Sequence, residues 1–185
     1  MAVVLDGSTG VSLVQDGVVT AADLASGAIT SAALPTGSVL QVVAMPPTTA
    51  ERGAYSSSTF VTVSNHSVSI TPTSASSKIY FSMSSVANPQ VNQKWIDVTI
   101  YRSIGGASAS NIAITDNTNA DAFSGAYTSS GGDTHFPINI QHLDSPNTTS
   151  EVTYSVYVRN RSNDANIRFN PDNFTSTFVA MEIAG

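Results

Sequence analysis

The residues able to do chemistry in this chain are few. His66, His135 and His142 are its only histidines. Asp133-Thr134-His135 and His142-Leu143-Asp144 each set an imidazole two residues from a carboxylate, donor types that a zinc ion takes. No His-X-His or His-X-X-X-His spacing supports them, and a full ligand set needs a residue from elsewhere. Strand-end histidines bonded to their neighbours are the plainer reading, and no metal is expected. Asp116, Asp121, Asp133, Asp144, Asp164 and Asp172 fall between apolar runs. Two such carboxylates held roughly 5 to 9.5 Å apart could hydrolyse a glycosidic bond. Loop Asp and Asn residues also shape turns, and that is the reading adopted here. Gly105-Gly106 and Gly131-Gly132 lack the Gly-X-X-X-X-Gly-Lys context of a phosphate loop, and no Gly-X-Ser-X-Gly elbow is present. The absence of cysteine removes thiol catalysis, disulfides and thiolate zinc sites. No cofactor is expected, and the chain reads as a non-enzyme.

Aromatic side chains offer a second kind of chemistry. Tyr55, Trp95, Tyr101, Tyr127 and Tyr157 could stack on the apolar faces of sugars, with amides and carboxylates meeting the hydroxyls. Trp95 opens an apolar run and is expected to be packed. Tyr127 lies in a long polar stretch, 116–134, with Asn117, Asp121 and Asp133. These four residues are the candidate receptor contacts.

Composition narrows the setting. Of 185 residues, 41% are hydrophobic, enough for a real core in one domain. Only 11% are charged, against roughly 25% in ordinary soluble domains. Serine and threonine, about a quarter of the chain, supply the missing polarity. The net charge of -6, with seven Lys plus Arg, leaves no basic face for nucleic acid. No apolar run approaches the roughly 20 residues of a bilayer crossing, so no membrane insertion is expected. The first six residues carry no basic group, and Sec export is not expected.

From Ser38 onward the pattern is β. Runs over 38–44, 59–63, 67–71, 78–84, 95–102, 111–115, 136–141, 151–159 and 175–183 are apolar, many alternating. Ser64-Asn65-His66 reads as a hairpin turn, and Pro137 marks an edge strand. Ile96, Val98 and Ile100 are expected inward, with Asp97, Thr99 and Tyr101 outward. Val152, Tyr154, Val156 and Val158 share one side. Eight or nine such strands with no helical run predict an all-β, jelly-roll-like sandwich over 38–185.

Residues 1–37 are different. They hold no aromatic residue and no Lys or Arg. Gly7, Gly17, Gly27 and Gly37 recur every ten positions, and Val14, Leu24 and Leu34 align, as do Val19, Ile29 and Val39. Each unit gives a glycine turn, a short extended piece and a Thr-capped Ala/Leu segment. One thin strip of this kind cannot bury Val14, Val19, Leu24, Ile29 and Leu34 against the entropy of ordering, about 1–2 kcal/mol per residue. Either the strip is a disordered tail or sister chains wrap round one another, and the repeating glycine and apolar register favours wrapping. Those five residues are the trimerisation and attachment candidates.

Four segments carry a family resemblance: Gly37-Ser-Val-Leu-Gln-Val-Val43, Ser69-Ile-Thr-Pro-Thr-Ser-Ala-Ser-Ser-Lys-Ile79, Leu143-Asp-Ser-Pro-Asn-Thr-Thr-Ser-Glu-Val-Thr-Tyr154 and Met181-Glu-Ile-Ala-Gly185. They resemble C-terminal domains of tail fibres and related surface proteins of tailed bacteriophages, notably of marine bacteria and cyanobacteria. Gly17-Val-Val-Thr-Ala-Ala-Asp-Leu24 and Gly27-Ala-Ile-Thr-Ser-Ala-Ala-Leu34 resemble the shaft repeats that precede such domains. The resemblance implies a homotrimer on the virion surface. Residues 1–37 would be a thin shaft attached to other virion proteins, and 38–185 a head contacting host-surface glycan or protein. Only some 37 residues precede the head, which implies a short fibre, or alternatively a capsid decoration, cement protein or head fibre. A surface-polysaccharide hydrolase is the remote alternative. The loops 46–58, 103–109, 116–134 and 161–174 are where host contact is expected.

Overall fold

Period-two alternation does most of the folding. The computed structural model describes residues 33–47, 54–89, 94–113, 121–129, 134–161 and 167–185. Within them lie the strands β1 (Val39–Ala44), β2 (Ala54–Tyr55), β3 (Val61–Ile70), β4 (Lys78–Asn88), β5 (Lys94–Ile104), β6 (Ser110–Asn111), β7 (Ser124–Thr128), β8 (Phe136–Asp144), β9 (Val152–Asn160), β10 (Ile167–Phe169) and β11 (Thr177–Ile183). The chain separates into Met1–Pro35 and Thr36–Gly185, and the strands all belong to the second unit. Val14, Val19, Leu24 and Ile29 lie outside the described residues, and Leu34 is exposed.

Two sheets form. One runs β1-β11-β4, with β8 on the far edge of β4 and β10-β2 continuing beside β11; the other runs β3-β9-β5, with β6 and β7 sharing the far edge of β5. Every pairing is antiparallel. With β6 and β7 taken as one broken strand, β1–β11, β3–β9, β4–β8 and β5–β6/β7 are nested pairs. They make one long hairpin rolled into two sheets, which is a jelly roll. Ile79, Phe81, Met83, Ile138, Ile140, Phe178 and Ala180 from the first sheet meet Val68, Ile70, Ile96, Val98, Ile100, Val152, Tyr154, Val156 and Val158 from the second in one core. Phe81 is its hub, with ring contacts to Phe123, His142, Tyr154 and Phe178.

Several expectations are corrected. Ser64-Asn65-His66 is no hairpin turn: β3 runs straight through it, with a bulge between Thr62 and Ser67. Asn65 takes a left-handed φ of 55°, which Asn tolerates better than most residues, and the insertion turns buried His66, Val68 and Ile70 to the core face. The stretch 116–134 is not all loop, because β7 lies within it. The loops 46–58 and 161–174 contain the short strands β2 and β10. Asp97 and Thr99 point outward as expected, yet both are buried. Pro137 does sit on an edge strand, since β8 pairs only with β4.

Two buried carboxylates close the roll. Glu182, on the core face of β11, accepts from Gln41 Nε2 of β1 (2.6 Å) and from the Thr73 backbone N–H (2.7 Å) and hydroxyl (2.8 Å) in the β3–β4 turn. Gln41 also donates to the Thr71 carbonyl at 2.6 Å. Asp144, ending β8, accepts from Arg102 Nη1 through both oxygens (2.8 and 2.9 Å) and from the Tyr154 hydroxyl (2.8 Å). Burial, then the adjacent Asp144 carboxylate, pushes the Tyr154 phenol far above its ordinary value. The C-terminal Gly185 packs so tightly on the Ser76 backbone that no Cβ fits there.

Burial alone would push the Glu182 carboxyl up, but the hydrogen bonds it accepts, that of Gln41 foremost, outweigh burial and hold it below its ordinary 4.5. The unfolded chain therefore takes up this proton at higher pH than the folded one. The stabilisation is complete above the ordinary carboxyl value and is lost as pH falls through the folded one. Denaturant unfolding at pH 7 and pH 3 is expected to show Glu182→Gln destabilised by about 1–3 kcal/mol at pH 7, with a shallower loss toward acid than the parent protein.

Candidate functional site

The outer face of the β3-β9-β5 sheet holds the richest cluster of polar and aromatic groups. Alternation puts Trp95, Asp97, Thr99 and Tyr101 of β5 on that face. Register sets Asp97 beside Arg159 of β9 and Gly125 of β7, and Trp95 beside Tyr127. Arg159-Asn160-Arg161 then supplies two guanidinium groups at the end of β9.

Asp97 is the anchor. Its Oδ2 accepts from Arg159 Nε (2.8 Å) and Arg161 Nε (2.7 Å). Arg159 reaches on to Asp121 with Nη2 (2.6 Å) and Nη1 (3.0 Å), a bidentate pair of the strong geometry. The hydrogen bond to Asp97, the largest influence on it, raises the Arg161 pKa above its ordinary value. Asn111 ties down the crossing chain: its Nδ2 donates to the Asp121 carbonyl (2.6 Å) and its Oδ1 accepts from the Thr99 hydroxyl (2.8 Å).

Aromatic rings flank this brace on both sides. Tyr101 stacks on Tyr157 at 3.9 Å, and the Arg159 guanidinium lies 4.4 Å from the Phe60 ring centre. Burial, then the neighbouring Tyr157, raises the Tyr101 phenol pKa. On the other side the Trp95 and Tyr127 ring centres lie 4.6 Å apart with their planes tilted by 32°, and Arg161 lies 5.0 Å from the indole centre. Trp95 is 40% exposed and Tyr127 37%. A cleft of about 270 Å³ opens beside them, lined by Trp95, Asp97, Ala122, Phe123, Ser124, Gly125 and Arg161. Gly125 keeps it open. A Cβ there would stand 3.0 Å from the Ile96 carbonyl and 3.2 Å from Asp97 Oδ1. The cleft joins the half-exposed indole to a guanidinium, a hydroxyl and the buried carboxylate that holds that guanidinium, a combination suited to holding a small polar, hydroxyl-bearing ligand.

The four receptor candidates separate. Tyr127 is exposed, as its place in a polar stretch suggested, and lies against Trp95, which lines the cleft. Asp121 is engaged by Arg159 and acts as a brace, not a free contact. Asn117 and Asp133 lie outside the described residues. Trp95, expected to be packed, is exposed and forms half of the platform. Among the described residues the imagined metal cluster does not assemble, and Asp133 lies outside them. His135 Nε2 bonds Asp172 (2.6 Å), His142 lies against Phe81 and Phe123, and Asp144 is held by Arg102 and Tyr154. Asp97, Arg159, Arg161 and Gly125 were not singled out by sequence. Their signal was there: Asp97 and Arg159 both fall on the outward parity of two strong alternations.

No family model matches the chain, and no curated protein matches it. Among solved structures it is similar to that of infectious bursal disease virus Gx strain, at 17% identity over 78% of this chain and 32% of that one, with a TM-score of 0.44. It is also similar to the infectious bursal disease virus VP2 subviral particle, at 16% identity over 78% and 38%, with a TM-score of 0.37. The chain spans about a third of the length of these structures.

Gly125→Ala is expected to displace the Asp97 carboxylate and lower stability by about 1–3 kcal/mol, read from the urea midpoint. Arg159→Ala, which leaves Asp97 buried with one guanidinium, is expected to cost about 3 kcal/mol.

Proposed function

We propose that this chain is a non-enzymatic structural protein of a virion surface, part of a homotrimeric fibre of a tailed phage. In this reading residues 1–37 attach it to other virion proteins and the jelly-roll head grips host-surface carbohydrate. The observation that carries the adhesive role is the half-exposed, tilted Trp95–Tyr127 pair, of which Trp95 lines a cleft together with Asp97 and Arg161. Sugar rings present an apolar face to such a platform and hydroxyls to the charged groups beside it. Both carboxylates nearest the cleft are engaged by guanidinium groups, an arrangement suited to holding a ligand and not to passing protons to it.

The virion setting rests on the resemblance of four separated segments. Gln41, Thr73, Asp144, Tyr154 and Glu182, one or two from each segment, are the partners in the two buried carboxylate networks. The resemblance is thus carried by residues that hold the head together. The decoration or cement reading has its own support in an apolar stripe on the outer face of the β1-β11-β4-β8 sheet, since a protein lying flat on a shell needs such a surface.

Three weak sites on one particle-bound trimer would bind a repetitive surface through avidity. Purified protein titrated with isolated host-surface polysaccharide is expected to bind, and Trp95→Ala with Tyr127→Ala to weaken that binding at least roughly tenfold, equivalent to about 1.4 kcal/mol, with an unchanged β-sheet spectrum. Equal binding by parent and variant removes the adhesive role from the cleft. Release of reducing ends would revive the hydrolase alternative. Antibody against the head is expected to label intact particles.

A further inference from the structure

The outer face of the other sheet is of opposite character. Strand register lines up Val42, Met181, Tyr80 and Leu143 in one row across β1, β11, β4 and β8. Val39 and Ile183 extend it on one side, and Ala44 and Val179 on the other. Val42 is 57% and Leu143 47% exposed. In these rows Lys78, at the margin beside Ile183, is the one charged residue. Ser82 and Gln141 complete the Ala44–Val179 row, and Thr177, Ser84 and Asn139 form the next one, so the apolar part is a stripe through Val42, Met181, Tyr80 and Leu143 with its flanking Val39, Ile183, Ala44 and Val179. An exposed apolar stripe with a polar border marks a contact surface.

We infer that this face packs against the same face of sister copies around the trimer axis. The inference rests on the trimeric reading above and names its interface. Three observations select a second copy as the occupant. The N-terminal segment enters the head through Thr36–Ser38 directly into β1, the strand at the edge of this face. On the reading of residues 1–37 as a shared shaft, copies joined there would hold their β1 edges at an effective concentration in the roughly millimolar range. Each chain carries a net charge of -6, so close approach of copies is least opposed at a surface without acidic groups, and these rows hold none. Around a threefold axis the contact is heterologous, so the β1 edge of one copy meets the β8 edge of the next.

The chain has no cysteine, which makes a cross-linking test clean. Val42 and Leu143 are three strand spacings apart, roughly 14 Å, beyond the reach of an intramolecular disulfide. Both are exposed, so substitution leaves the core intact. Full-length protein carrying Val42→Cys and Leu143→Cys together is expected to run, after mild oxidation, mainly as covalent dimers and trimers on a non-reducing gel. If the parent protein sediments as a trimer but the double variant stays monomeric on the gel, the face is not between copies. The inference then falls while the trimeric reading stands. If the cysteines cross-link only to a different virion protein in intact particles, the face belongs to the shell and the inference is overturned. If the parent sediments as a monomer, the trimeric reading fails and takes the inference with it.

Discussion

A carboxylate taken out of water must be met by donors, and this fold is organised around three that are. Glu182, Asp97 and Asp144 are each at least nine-tenths buried. Each draws its donors from segments far away in the chain. Glu182 joins the last strand to the first and to the β3–β4 turn. Asp144 joins β8 to β5 and β9. Asp97 joins β5 to the end of β9 and, through Arg159, to the chain returning at Asp121. An unpaired carboxylate in any of these places would cost several kcal/mol, so an incorrectly rolled hairpin carries a penalty that the jelly roll does not. Apolar alternation makes strands, and these three groups discriminate among the ways of wrapping them.

That internal use of charge shapes the surface. Three of the seven cationic residues, Arg102, Arg159 and Arg161, are engaged by buried carboxylates. The two broad faces left behind are unlike each other. One carries ring stacks, a charged brace and a cleft kept open by Gly125. The other carries an apolar stripe, Val42, Met181, Tyr80 and Leu143, bordered by the polar Ser82 and Gln141, with Lys78 at its margin.

Strand alternation was legible in the long central strands: Val152, Tyr154, Val156 and Val158 share the core face, and so do Ile96, Val98 and Ile100. Errors arose where local chemistry allows two outcomes. Ser64-Asn65-His66 has turn composition, yet the same left-handed Asn serves a bulge in a continuous strand. Strand β7 escaped notice because Ser124-Gly-Ala-Tyr-Thr128 has little β propensity; pairing with β5 imposes it. The burial of Asp97 could not be read from its own strand, because its cover comes from Arg159, Arg161 and residue 121, all distant in sequence. Tyr127 was legible as an exposed ring, but its partner Trp95 was not, since a tryptophan at a strand start is usually packed.

The central claim is that Glu182 clasps the β3–β4 turn from inside the roll. Thr73 is an exposed turn residue whose amide donates to that carboxylate. Native-state hydrogen exchange at the Thr73 amide tests the clasp directly. Protection approaching that of the β4 and β11 amides is expected. Exchange at the rate of an open loop amide would contradict it.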